Sequence, residues 1–299
     1  MTSETPNKDA ATETIFSAAI GPRYARRYAA DALEQSVPWL DPHWESSIST
    51  NTWTRWDGTT GTAQEHMIWM RDQVKSLFSE ERASEFRPHG QHDGCRFYIH
   101  PELTAAGDGY GCFKIEGRVF DVQPRDVLRI CFDMQSTIDL DATAVFYKMM
   151  KPCTIDNKDA KSSMVLPVYW CNDPGFPFSY RDGIDLTGFL PDQDPNSNVI
   201  WQVAVGVNMD GFSSQPGALQ AKDRYWAYRL EPVADGGTKV SIICQCCLHG
   251  WIPKFLSNYF VCKVLTDTLG KLEKKIAQLK AEDTAGYEQK MKDIGLGDW

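Results

Sequence analysis

Residues 253–279 read PKFLSNYFVCKVLTDTLGKLEKKIAQL, and the spacing within them decides the fold. Pro253 suits the opening turn of a helix, where its missing N–H is not needed. Behind it Phe255, Leu256, Tyr259, Phe260, Val264, Leu265, Leu269, Leu272, Ile276 and Leu279 recur at three- and four-residue intervals and form one apolar stripe. A helix of about 28 residues spans ~42 Å at ~1.5 Å per residue, enough to lie across the mouth of a strongly bent sheet. Such a stripe needs an equally long apolar partner, and the residues before it supply one.

Strand signals occupy 142–150, 163–171, 183–190 and 199–208, and in the last of these Val199, Trp201, Val203, Val205 and Val207 alternate onto one face. Residues 221–230 and 238–248 flank the Asp235-Gly-Gly turn as a hairpin. Earlier, 96–100 and 111–120 form a second hairpin around Gly107-Asp-Gly, after a turn-rich lead-in at 88–94. A helix follows Thr62 and ends near Arg82, with Met67, Met70, Val74, Leu77 and Phe78 at helical spacing; another runs from Pro124 to about Gln135. The order helix, two strands, helix, six strands, long helix predicts an α+β fold, one mostly antiparallel sheet curved around one long C-terminal helix. A sheet that curls this far can leave a lumen.

Residues 1–14 are polar and read as disordered. Residues 15–61 are an extension with a short helix at 23–37, stopped before Pro38, and an irregular connector over 39–62 whose Trp39, Trp44, Trp53 and Trp56 pack onto the body. The main domain is expected over 62–280 and a tail over 281–299. The net charge of −9 disfavours nucleic acid and anionic membranes as electrostatic partners. Nine scattered cysteines, two adjacent (Cys246, Cys247), make a poor disulfide framework and suit a reducing compartment. No stretch reaches the ~18 apolar residues needed to span a bilayer, and no signal-peptide core precedes residue 14. Acidic Glu4, Asp9 and Glu13 disfavour a transit peptide, so a cytoplasmic location is expected.

Several segments together resemble the StAR-related lipid-transfer (START) domain family, most closely its phosphatidylcholine transfer protein branch. Asp93-Gly-Cys-Arg-Phe-Tyr followed by Phe113-Lys-Ile-Glu-Gly is similar to the family's opening hairpin, and Asp121-Val-Gln-Pro to the entry of its short helix. Tyr169-Trp170, then Phe176-Pro177 and Arg181-Asp182, match the spacing of the phosphatidylcholine branch. Leu230-Glu-Pro, Gly236-Gly-Thr-Lys-Val and Gly250-Trp-Ile-Pro-Lys-Phe-Leu-Ser-Asn resemble the last strands and the start of the lid helix. The resemblance covers about residues 62–280. It implies a helix-grip fold with a tunnel holding one lipid, without chemistry or cofactor, in a monomer that touches membranes transiently.

The resemblance also assigns candidate residues. Where that branch has a phosphate-binding arginine, four residues before the counterpart of Asp141, this chain has Thr137. Trp170 matches one aromatic of the branch's choline cage; a second is replaced by Gly183, and a third falls near Arg224 or Tyr225. The acid and arginine that sterol-type members share are not intact either, because Thr187 stands at the arginine's place. The candidate ligand-binding residues are therefore Thr137, Asp141, Trp170, Arg181, Trp201, Arg224 and Tyr225. Trp170, Trp201 and Trp226 have structural readings as core aromatics of strands, and Asp141 as a cap. Arg181 is equally readable as a structural charge with a fixed partner, and Arg224 as an exposed edge arginine or a substitute phosphate clamp.

The loop Met209-Asp-Gly-Phe-Ser-Ser-Gln-Pro-Gly corresponds to the family's gate, and Phe212, Trp251, Phe255 and Tyr259 are the candidate gate and membrane-contact residues. Burying a ~16-carbon chain is worth ~13 kcal/mol at ~0.8 kcal/mol per methylene, so release into water is negligible and unloading needs membrane contact. His89, His92, Asp93 and Cys95 have no metal-ligand spacing, and no metal is expected. No nucleophile elbow, phosphate-binding glycine loop or Ser-His-acid set is present, so no catalytic residue is assigned. A cavity-based hydrolase or cyclase and a lipid-gated interaction module are the alternatives to a lipid carrier.

Overall fold

The computed structural model describes residues 52–293 except 93, 150–164, 176–177, 195, 209–213 and 215–216. The readings for 1–14, the helix at 23–37, Trp39, Trp44, Phe176-Pro177 and the Phe212 loop lie outside the described residues. The first half of the chain forms β1 (Thr52–Arg55), β2 (Thr60–Thr62), α1 (Ala63–Phe78), β3 (Arg87–His92), β4 (Cys95–Ile99), α2 (Pro101–Ala106) and β5 (Phe113–Phe120). Then come α3 (Pro124–Cys131), α4 (Met134–Leu140), β6 (Ala144–Met149), β7 (Val165–Asn172), β8 (Tyr180–Pro191) and β9 (Ile200–Asn208). The chain closes with β10 (Ala218–Gln220), β11 (Lys222–Pro232), β12 (Thr238–Cys247), α5 (Lys254–Glu282) and α6 (Thr284–Asp293).

The strands make one sheet in the order β3-β4-β5-β12-β11-β9-β8-β7-β6, antiparallel along the whole path. Only β10, parallel to β8, breaks the rule among the described strands. The central strands are buried on both faces and separate two cores. On the inner face Phe120, Leu230, Val240, Ile242 and Cys244 pack against Leu265, Leu269, Leu272 and Ile276 of α5. On the outer face Ile184, Leu186, Val203, Val205 and Val207 pack under Met67, Met70, Val74 and Leu77 of α1.

Local chemistry explains where α1 starts. Thr62 accepts a hydrogen bond from the Glu65 amide at 3.2 Å, and Glu65 accepts one from the Thr62 amide at 2.7 Å, a reciprocal capping box. The helix stops at Phe78 rather than near Arg82, because Arg82 sits in a separate 3-10 turn, Glu80–Glu85, and is paired to Glu85 at 2.6 Å.

Five expectations need correction. Residues 52–62 of the connector form the β1–β2 hairpin, and β1 pairs with β9, so the sheet begins before residue 62. Residues 88–92 of the lead-in are strand, paired with β4. The β4–β5 hairpin is antiparallel as expected but its connection contains α2. The 124–135 helix is two helices, broken at the extended Asp133, whose carboxylate pairs with Arg129 at 3.0 Å and accepts from Ser136 at 2.6 Å. Finally, the 281–299 tail contains α6, whose Tyr287 and Met291 are buried against the inner core.

Asp126 ties α6 to the body. Its carboxylate caps α3 through the Gln123 amide (3.1 Å) and accepts from Lys280 (2.8 Å) and the Tyr287 hydroxyl (3.0 Å). Removing a hydrogen bond to a buried charged group costs ~1.5–3 kcal/mol. Tyr287→Phe is therefore expected to lower the free energy of urea unfolding by about that amount; an unchanged midpoint would mean that α6 contributes nothing to the fold.

Candidate functional site

Inner-face side chains do not fill the space between the sheet and the first half of α5. Phe260, Val261, Val264, Leu265, Leu269 and Leu272 form one wall of a cavity, and inward residues of β7, β8, β9 and β11 with α3, α4 and the residues around Thr143 form the rest. The cavity volume is about 210 Å³, somewhat below the ~300–1,000 Å³ usual for small-molecule sites.

Strand parity selects the lining. On β9, Gln202 and Ala204 face the cavity, whereas Trp201, Val203 and Val205 face α1. Trp201 is therefore corrected from a ligand-binding candidate to an outer-core residue: it packs on Phe78 at 5.7 Å and donates its indole N–H to Asp192 at 3.1 Å. Trp226 takes the opposite course and lines the cavity with Tyr228.

A bulge between Asp223 and Tyr225 shifts the register of β11 against β12. Asp223 and Trp226 then both face inward, while Arg224 and Tyr225 face outward. Arg224 lies over Trp56 at 4.2 Å and donates to the Ala106 carbonyl at 2.5 Å, so neither Arg224 nor Tyr225 lines the cavity, and Arg224 is no phosphate clamp. Arg181 is not in the lining either. Its guanidinium, on a residue 2% exposed, donates to the carbonyls of Leu248 (2.5 Å), His249 (3.1 Å) and Ser179 (2.5 Å). Those bonds hold the turn between β12 and α5, in which His249 and Gly250 take left-handed φ of 50° and 70°.

The cavity wall includes three of the candidates. Thr137 donates to the Ile130 carbonyl at 3.3 Å. Asp141 caps the turn after α4 by accepting from the Thr143 amide (2.8 Å) and hydroxyl (2.7 Å), and burial raises its carboxyl above the usual range. It is both cap and wall. Trp170 donates its indole N–H to Asp185 at 2.8 Å. Its ring covers Gly183 on the next strand so closely that a Cβ there would stand 2.9 Å from Trp170 Cζ2. Trp170 and an aromatic at position 183 therefore exclude one another, and no cage of that kind can form.

Asp185, Asp223, Gln202, Tyr147 and Asn172 were not singled out from the sequence, yet they give the cavity its polar end. Asp185 on β8 sits opposite Gly206 on β9, and a Cβ on Gly206 would stand 2.8 Å from the Asp223 carbonyl oxygen. With no side chain at 206, the carboxyls of Asp185 and Asp223 reach each other across β9 and hydrogen-bond. The Oδ1 atoms of both are buried without a hydrogen-bond partner. Burial pushes Asp185 well above the usual carboxylate range and the Asp223 charge pushes it further; Asp223 is also raised by burial, but bonds from Asp185 and the Cys246 thiol restrain it. The signal for Asp185 in the sequence is an acid sharing inward parity with Thr187 and Phe189.

This architecture occurs in solved proteins. Human STARD10 superposes with a TM-score of 0.60 over 76% of this chain and 86% of its own, at 13% identity. Human StAR-related lipid transfer protein 5 gives 0.58 over 73% and 97%, at 14% identity. A STAR-related lipid transfer protein fragment from Xanthomonas axonopodis gives 0.51 over 64% and 99%, at 19% identity. The fold is the helix-grip fold. No protein-family model matches the sequence, and neither does any curated protein. In helix-grip terms, α5 is the gripped helix and the cavity lies between it and the sheet. No described helix is long and apolar enough to cross a membrane.

The carboxyl pair has a stability consequence whose sign is fixed. Asp185 keeps in the folded state a proton that the unfolded chain releases near pH ~4, so the folded state loses stability as pH rises from there through the raised value. Asp185→Asn keeps the bond to Asp223 without a titrating proton. Its melting temperature is expected to exceed that of the parent at about pH 8, with the gap closing near about pH 4; a gap independent of pH would show that the pair does not share a proton.

Proposed function

We propose that the protein is a lipid carrier that holds one lipid in this cavity and exchanges it at membranes. The observation that carries the reading is an apolar cavity with one polar end, walled by α5. A neighbour of the same fold is named as a lipid transfer protein, which supports the reading. The phosphatidylcholine likeness is one of strand segments: among the described lining residues no Lys or Arg faces the cavity, and Thr137 has no charge to offer a phosphate.

The exit route has its own chemistry. Pro174, Phe178, Ile252 and Leu256 line a narrow groove that shares Leu248 and Phe260 with the cavity. Beside it Trp251 is 80% and Phe255 74% exposed, and Leu219, 40% exposed, lies against Gly250. Tyr259 is half-buried. Exposed aromatics at the mouth of an apolar cavity suit insertion into a membrane interface, where the lipid can leave without crossing water.

Native mass spectrometry of the purified chain is expected to show about one lipid per protein, chemically unaltered. A protein that is empty and moves no lipid between vesicles would end the carrier reading. The carboxyl pair is the one feature that favours an enzyme, because shared-proton carboxyls also serve acid-base catalysis; recovery of a cleaved or cyclised ligand would decide for it. In the carrier, Trp251→Ser with Phe255→Ser is expected to slow transfer between vesicles about tenfold while leaving the amount of bound lipid unchanged. Unchanged transfer would remove these two residues from the membrane contact.

A further inference from the structure

We propose that the lipid bound here carries a protonated amine at its polar end, held by Asp185 and Asp223. The inference rests on the carrier reading and names the ligand's chemistry. It starts from a count of charges. Three carboxyls, Asp141, Asp185 and Asp223, face the cavity, and no basic side chain does so among the described lining residues. Lys271 acts on Asp141 electrostatically but is not part of the wall. A phosphate, sulfate or carboxylate headgroup would bring like charge into a site of low dielectric, where repulsion is strongest.

Hydrogen-bond accounting leads to the same class. Several donors of the polar end are committed within the protein: Trp170 N–H to Asp185, the Gln202 amide to Thr187 Oγ1 (2.9 Å), the Thr187 hydroxyl to the Val203 carbonyl (3.3 Å) and the Thr143 hydroxyl to Asp141. The acceptors are not. Gln202, 4% exposed and in the cavity wall, leaves its Oε1 without a partner. Asp185 and Asp223 each leave a buried Oδ1 without a partner. Unsatisfied buried acceptors require a ligand that donates.

An ammonium group supplies three N–H donors and the charge that offsets Asp223. A hydroxyl supplies one donor and no charge, and a quaternary ammonium supplies charge without a donor. Gln202 Oε1, beside Thr187 and so one inward-facing step along the strand from Asp185, can accept a second donor of the same headgroup. Gly206 lets the backbone at Asp223 come close to β9, because a Cβ there would stand 2.8 Å from the Asp223 carbonyl oxygen.

The test offers the full chain an equimolar mixture of hexadecylamine, hexadecanol and hexadecanoic acid in phosphatidylcholine vesicles, with the bound species read by native mass spectrometry. The amine is expected to exceed the acid by about tenfold or more. Asp223→Asn is expected to cut the ratio of bound amine to bound hexadecanol about tenfold, and a cooperative thermal melt reports that the variant is folded. Asp185→Asn, which removes the second ionisable carboxyl but preserves its bonds, is expected to weaken amine loading less. Acid loading equal to that of the amine, or an amine preference that survives Asp223→Asn, would overturn the inference. If hexadecanol loads as well as the amine, the carrier reading stands and the charge inference falls. If none of the three loads, both fall together.

Discussion

The packing of α5 against the inner face of the sheet is the contact on which the rest of the molecule depends, and it is made along only part of the helix. Leu265, Leu269, Leu272 and Ile276 are buried against Phe120, Leu230, Val240 and Ile242. Further toward the N-terminus Phe260, Val261 and Val264 line the cavity. A helix ~44 Å long, gripped at its far end and standing off the sheet at its near end, generates a cavity without any strand having to break its hydrogen bonds. The Asp126 network with Lys280 and Tyr287 secures that gripped end, so the opening is confined to the other.

Burying three carboxyls in such a space is costly, since each loses hydration that a lipid tail cannot replace. The chain meets the cost in two ways. Asp141 is held in the turn after α4 by two bonds from Thr143. Asp185 and Asp223 halve the problem by sharing a proton, with Trp170 and Cys246 as further donors. What remains is one negative charge at the polar end of an apolar cavity, a stability cost in the empty protein that only a ligand of the right chemistry offsets. Sites that bind often carry this kind of local destabilisation.

Much of the fold was legible because its signals are long. The seven-turn stripe of α5, the alternation of β9 and the hairpin turns place most strands within a few residues, and the order of elements gives the α+β class. Features outside those periods were not: β3 is exposed along its whole length and has no apolar pattern, and α6 buries only two side chains, so neither rises above the turns and tail around it. The site was less legible for a different reason. Strands β7 to β9 are buried on both faces, so alternation shows that Trp201 and the valines share a face but not which core that face meets. Only the location of α1 and α5 settles that, and it turns Trp201 away from the cavity.

Position 224 shows how small a backbone feature decides the chemistry of the interior. Counting by twos along β11 from the inward Trp226 brings Arg224 into the cavity and sends Asp223 out. The observed bulge inserts one extra residue at that point, so the parity reverses below it and Asp223 enters in place of Arg224. The same side chains with regular pairing would have lined the cavity with a cation facing Asp185, an ion pair ready for an anionic headgroup. With the bulge, Asp223 meets Asp185 over Gly206, and the guanidinium leaves for the indole of Trp56 on the outer surface. The sign of the charge inside the cavity is thus set by strand register, which no residue count along the sequence can supply.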